Sequence, residues 1–118
     1  HVDPGFSDPA TIQTAQTWIP FELFSDPEQV NRLQHEMLDR IAELPGVASA
    51  GYTDDIPMGE QWDNIPVLVE GETIAAGDAP PYRRSNYVSP GYFEAMGTRI
   101  IAGRDLTWSD IETGGRVA

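Results

Sequence analysis

His1 and His35 are the only imidazoles in the chain, so any histidine-based acid, base or metal chemistry must run through one of them. His1 is the first residue. His35 is followed one helical turn later by Asp39, a spacing that places both on one helix face, where a carboxylate could orient the ring or share a metal with it. The second histidine of the zinc-protease pattern does not follow His35-Glu36, and no third ligand is evident, so a solvent-side pair is the preferred reading. The other chemistry-bearing cluster is Asp54, Asp55, Glu60 and Asp63. Calcium loops of the helix-loop-helix type need oxygen ligands at alternate positions around a central glycine, and this order is missing. Paired catalytic carboxylates need burial to raise one pKa, whereas a stretch with Pro57 and Gly59 is expected to be a solvated loop. Cysteine is absent, which removes thiol nucleophiles, disulfides and iron–sulfur clusters. There is no Gly-x-Ser-x-Gly elbow, no phosphate loop and no dinucleotide fingerprint. The residues therefore point to no catalytic group, no metal and no cofactor.

Two further groups are candidates for contact with a partner. Met58 and Trp62 are large apolar side chains on a turn-rich stretch, which either fold back over the core, the preferred reading, or form a contact patch. Arg83 and Arg84 are a basic pair in a chain with 7 Lys plus Arg against 19 Asp plus Glu. Internal pairing with carboxylates is preferred for them over docking. The net charge of −12 makes nucleic acid and anionic membrane surfaces poor partners. At 118 residues the chain has the length of one domain, 1–118. No run approaches the ~20 apolar residues of a membrane helix, so this segment is not expected to insert into a bilayer. The start at His1 without methionine and the uncapped Arg116-Val117-Ala118 tail lead us to expect a segment of a longer protein.

Around these groups the sequence lays out its elements. The β-branched and aromatic residues of Thr11 to Ile19 favour a strand, with Gln13 and Gln16 interrupting the alternation. Ser25-Asp26-Pro27-Glu28 is a helix start, and Val30, Leu33, Met37, Leu38, Ile41 and Leu44 recur as an apolar stripe until Leu44-Pro45-Gly46 stops it. The spacing predicts an amphipathic helix over 27–44, with its stripe lying across a sheet. Further strands are predicted at Val47 to Thr53, at Ile65 to Val69 with Pro66 at a sheet edge, at Tyr82 to Val88 and at Thr98 to Ala102. Ser89-Pro90-Gly91 to Gly97 spells a short capped helix, and Trp108-Ser109-Asp110 starts one more helical turn.

Three stretches together resemble a known family. They are Pro27-Glu28-Gln29 leading through the helix to Leu44-Pro45-Gly46-Val47-Ala48-Ser49-Ala50, then Tyr87-Val88-Ser89-Pro90-Gly91-Tyr92-Phe93-Glu94-Ala95-Met96-Gly97, then Ala102-Gly103-Arg104-Asp105-Leu106. In this order they resemble the MacB-like periplasmic core domain of ABC transporter permeases of the MacB and FtsX type, from about Asp3 onward. The resemblance implies a periplasmic domain anchored to the inner membrane by parts outside this segment, its C-terminal part lying beyond Ala118. It implies an α+β fold: a two-layer sandwich of mixed sheet with one long and one short helix on one face, in the order β-α-β-β-β-α-β, similar to porter modules. The implied partners are an ABC ATPase domain or subunit, a second permease copy or a periplasmic adaptor.

No catalytic residue carries over from that family, whose ATP chemistry lies in a separate nucleotide-binding domain. Ser89, Pro90, Gly91, Tyr92, Phe93, Gly97, Gly103, Arg104 and Asp105 read as architecture. In this reading Ser89 caps the short helix, Pro90 fixes its entry, Gly97 reverses the chain and Arg104-Asp105 pins the next turn. The expected function is non-catalytic: transmitting conformational change or docking a partner or cargo during export. Two other readings stand beside it: a stand-alone extracellular binding module using Met58 and Trp62 for a hydrophobic ligand or protein partner, and a small acidic hydrolase using Asp54, Asp55, Glu60 or Asp63.

Overall fold

Asp26 accepts the Gln29 N–H at 3.2 Å through Oδ1, and Pro27 occupies the first turn where no donor is needed; from there the chain runs as helix α1, Pro27–Ala42. The computed structural model describes residues 6–57, 59 and 63–114. Helix α1 ends two residues short of the expected Leu44. The ring of Pro45 disfavours helical backbone in the residue before it, and Leu44 N–H turns back to the Ile41 carbonyl at 3.1 Å instead. The remaining elements are strand β1 (Asp63–Pro66), strand β2 (Tyr82–Ser85), helix α2 (Tyr92–Ala95) and helix α3 (Trp108–Thr113), with 3-10 turns at Pro9–Thr11 and Phe21–Ser25. The fold is α+β.

The sheet among the described residues is a two-stranded antiparallel pair, with Asp63 opposite Ser85, Asn64 opposite Arg84, Ile65 opposite Arg83 and Pro66 opposite Tyr82. One more bond follows the Pro66–Tyr82 pair, Val67 N–H to the Pro81 carbonyl at 3.0 Å, and Pro81 has no N–H to return it. The mixed sheet expected from the sequence is not formed by these residues. Thr11 closes the 3-10 turn Pro9–Thr11 and the chain from Ile12 to Ile19 is irregular, because β-prone side chains make a strand only where a neighbouring edge completes the ladder. Thr98 to Ala102 is likewise irregular, with Ile101 86% exposed.

Val47 to Thr53 fails differently. It makes one antiparallel bridge, Thr53 with Val88, and side chains then take over the ladder positions. Tyr52 N–H donates to Ser89 Oγ at 2.7 Å, and Tyr87 N–H to Asp54 Oδ1 at 2.8 Å. Short polar side chains that bond to backbone compete in this way with strand pairing.

The core is thin. Among the described residues, Leu38 on α1 and Met96 after α2 are the buried apolar ones, joined by buried Ser89. The stripe of α1 is shielded along Val30, Leu33 and Met37, but Ile41 and Leu44 at its end face water. It lies against irregular chain and α3, not across a sheet: the Tyr52 hydroxyl reaches Met37 Sδ at 3.7 Å, and the His35 ring stacks on Trp108. Among the described residues no helix is long and apolar enough to cross a membrane.

Candidate functional site

The residues that carry the sequence motifs meet at one junction, where the chain after α1, the turn before α2 and the loop before α3 come together. Ser89 is its centre. Its N–H donates to the Tyr52 carbonyl at 2.9 Å, its Oγ accepts the Tyr52 N–H at 2.7 Å, and the hydroxyl donates to the Pro90 carbonyl at 3.1 Å. Ser89 therefore does not cap α2, as the sequence led us to expect. Gly91 holds that position with a φ of 84°, a left-handed backbone that suits glycine, and no side chain caps the helix. The hydroxyl is diverted to the half-buried Tyr52 amide, which has no ladder partner and would otherwise be left unpaired.

Glycine is required here for a second reason. A Cβ on Gly91 would stand 2.8 Å from the Ala50 carbonyl oxygen, and one on Gly51 would stand 2.5 Å from Tyr92 Cα. The two backbones touch directly. Asp105 closes the third side: Oδ2 accepts Gly91 N–H at 3.4 Å and Oδ1 accepts Leu106 N–H at 2.7 Å. Burial pushes the Tyr92 phenol above its ordinary pKa, and the nearby Asp55 and Asp54 charges push the same way against the Thr53 hydroxyl. Phe93 packs edge-on to Tyr92, ring centroids 5.5 Å apart. Gly97 and Gly103 lie in the turns that leave α2 and approach α3.

Arg104 pins α3, through Asp110 and not through the neighbouring Asp105 carboxylate. Its Nη1 and Nη2 donate to the two Asp110 oxygens at 2.7 and 2.9 Å, a bidentate fork. Asp110 also accepts Thr107 N–H and Oγ1–H at 2.8 Å each, while Thr107 Oγ1 accepts Asp110 N–H, which is a complete capping box. These contacts hold the Asp110 carboxyl well below the usual carboxylate range, the Arg104 bond being the largest cause. Helix α3 starts at Trp108, where Trp108-Ser109-Asp110 placed a helical turn; its cap, Thr107, was not recognised, although its spacing to Asp110 was the available signal.

The acidic cluster is dispersed among structural partners. Asp55 Oδ2 pairs with Arg84 Nη2 at 3.0 Å, and Asn86 Nδ2 donates to the Asp55 carbonyl at 3.1 Å. Asp54 holds the Tyr87 amide, and Asp63 is exposed on β1. Arg83 reaches the Tyr82 carbonyl at 3.2 Å. Met58, Glu60, Trp62 and His1 lie outside the described residues. His35 Nε2 is 3.7 Å from Asp39 Oδ2, and its ring lies on Trp108 with centroids 4.1 Å apart and planes 11° from parallel. Among the described residues no group of three or more His, Asp or Glu side chains is placed to hold a metal. An open apolar cleft of about 190 Å³ lies between Phe6, Ile12, Ile56 and Met96, small beside the ~300 Å³ and more of ordinary ligand sites. Comparison with protein-family models, with curated proteins and with solved structures finds no match to this chain.

Proposed function

We propose that the chain is a non-catalytic, periplasmic domain of an ABC transporter permease of the MacB and FtsX type, transmitting conformational change or docking a partner or cargo during export. One observation carries this reading: the three stretches on which the family resemblance rests meet at the Ser89 junction. Tyr52 follows the first, Ser89 and Gly91 belong to the second, and Asp105 belongs to the third, joined by backbone-directed hydrogen bonds. Such a joint fixes segments to one another without presenting a reacting atom. Displacement of one segment is passed to the next because breaking these bonds leaves the half-buried Tyr52 and Gly91 amides or the buried Ser89 amide unpaired. Helix α1 is tied to the joint through Tyr52 and to α3 through the His35–Trp108 stack, and it would serve as the lever. In the assembled permease the stretches Thr11–Ile19, Val47–Thr53 and Thr98–Ala102 would complete a porter-like two-layer sheet. The partners would be an ABC ATPase domain or subunit through the membrane part and a second permease copy or an adaptor outside it.

The test uses the complete reading frame. It should encode apolar runs of about 20 residues on both sides of this segment. Gly91→Val in that full-length protein should lower ATP-dependent export while leaving detergent-solubilised ATP hydrolysis unchanged. A reading frame with no bilayer-crossing segment, or catalytic turnover by this domain alone, overturns the proposal.

A further inference from the structure

Ahead of α1 the chain carries an exposed aromatic patch: Trp18 is 84% exposed, Phe21 83% and Phe24 58%. The local backbone holds Phe21 and Phe24 in place. In the 3-10 turn Phe21–Ser25, residues three apart eclipse, so Phe21 and Phe24 share one outer face with ring centroids 5.9 Å apart. Leu23 is half-buried, unlike the rings on either side of it. Leu23 N–H donates to the Pro20 carbonyl at 3.0 Å, Asp26 N–H to the Leu23 carbonyl at 3.0 Å, and Ser25 Oγ–H to the Glu22 carbonyl at 3.3 Å. Ordering these rings for a partner therefore costs little additional entropy.

Along the sequence, up to Asn31, the charge flanking the patch has one sign. From Phe6 to Asn31 there is no Lys or Arg, while Asp8, Glu22, Asp26 and Glu28 are all present. The ion pairs found among the described residues are those of His35, Arg84 and Arg104, and none engages these four carboxylates. A second copy would bring its own charge of −12 to the contact, and an anionic lipid surface would be repelled in the same way. An arginine-bearing surface suits both components, because guanidinium lies on aromatic faces and forks onto carboxylates.

We propose that the segment from Trp18 to Glu28 is a docking surface for a basic peptide segment of a partner protein, one that sets arginines beside bulky aliphatic side chains. This surface rests on local exposure and charge; it shares Trp18 with the Thr11–Ile19 stretch of the transporter reading, while Phe21 to Glu28 lie outside that stretch.

The test is a titration of the protein with a labelled 15-residue peptide of alternating arginine and leucine, alongside its glutamate–leucine counterpart. The arginine peptide should bind saturably and the glutamate peptide should not. Trp18→Ser with Phe21→Ser should weaken binding at least about tenfold, while circular dichroism stays unchanged at these exposed positions. Glu22→Gln with Glu28→Gln should weaken it and flatten its salt dependence. Equal binding by the aromatic double variant overturns the proposal, as does binding of the acidic peptide or no binding at all. A wild-type dimer in sedimentation that the aromatic variant lacks assigns the patch to a second copy, and tighter partition into phosphatidylcholine vesicles than onto the peptide assigns it to a membrane; either result overturns the proposal.

Discussion

Gly51 lies against the backbone of Tyr92 so closely that a Cβ on Gly51 would stand 2.5 Å from Tyr92 Cα and 2.7 Å from its nitrogen. Both atoms belong to main chain at the start of α2, so no side-chain rotation relieves the clash. Gly51→Ala must separate the post-α1 chain from α2 and should cost about 1–3 kcal/mol, with Ser89–Tyr52 bonding weakened in the same step. Gly46, with a φ of 86° and nothing within 4 Å of its added Cβ, is the control. Gly46→Ala should cost only about 1–2 kcal/mol, from left-handed backbone, and leave the junction intact. Urea unfolding of the two variants, with amide exchange at Tyr52 as the local readout, distinguishes them: fast Tyr52 exchange in the Gly51 variant alone is the expected outcome.

Ser89→Ala should cost about 1–3 kcal/mol, because it leaves the Tyr52 amide without the oxygen it donates to at 2.7 Å. Were Ser89 instead the cap of α2, the cost would sit in the helix end and Tyr52 exchange would be unaffected. Hydrogen exchange should show Tyr52 losing protection, with the amides of Ala95 and Met96, which donate to the Gly91 and Tyr92 carbonyls, keeping theirs.

Asp110 supplies a pH dependence whose sign follows from its depressed carboxyl. The folded state favours the ionised form, so the contribution of the fork is complete above the unfolded carboxylate value of about 3.9 and is lost as pH falls through the lower folded value. Asp110→Asn should lower Tm at pH 7, and the gap from wild type should close as the melts are taken from about pH 5 to below about pH 3. Arg104 is more than half exposed, so solvent screens the pair and the gap at pH 7 should shrink in high salt. A gap that widens in acid would mean that Asp110 is not held as the ionised partner of Arg104.

Helix α1 was legible because everything that defines it lies within the segment itself. Asp26 and Pro27 start it, Pro45 and Gly46 stop it, and the stripe recurs between them. Asp39 and His35 were likewise recognised as neighbours from spacing alone. The strands were only partly legible: Tyr82–Ser85 and Asp63–Pro66 pair close to where β-prone residues occur, but Thr11 to Ile19 and Thr98 to Ala102 carry equal propensity and form no ladder. The exposure of Trp18 and Phe21 could not be read at all, since an apolar residue gives no sign of whether something covers it.

By itself, then, the sequence determined the long helix, its caps, the acidic field and the basic-free run from Phe6 to Asn31. Tertiary structure alone decided that Ser89 serves Tyr52, that Asp105 holds Gly91, that Arg104 grips Asp110 and that His35 lies on Trp108. Helical hydrogen bonds and net charge are settled within a few residues or by simple composition. A strand, a buried hydroxyl or a stacked ring needs a partner from elsewhere in the chain, and which partner arrives depends on how the whole chain packs.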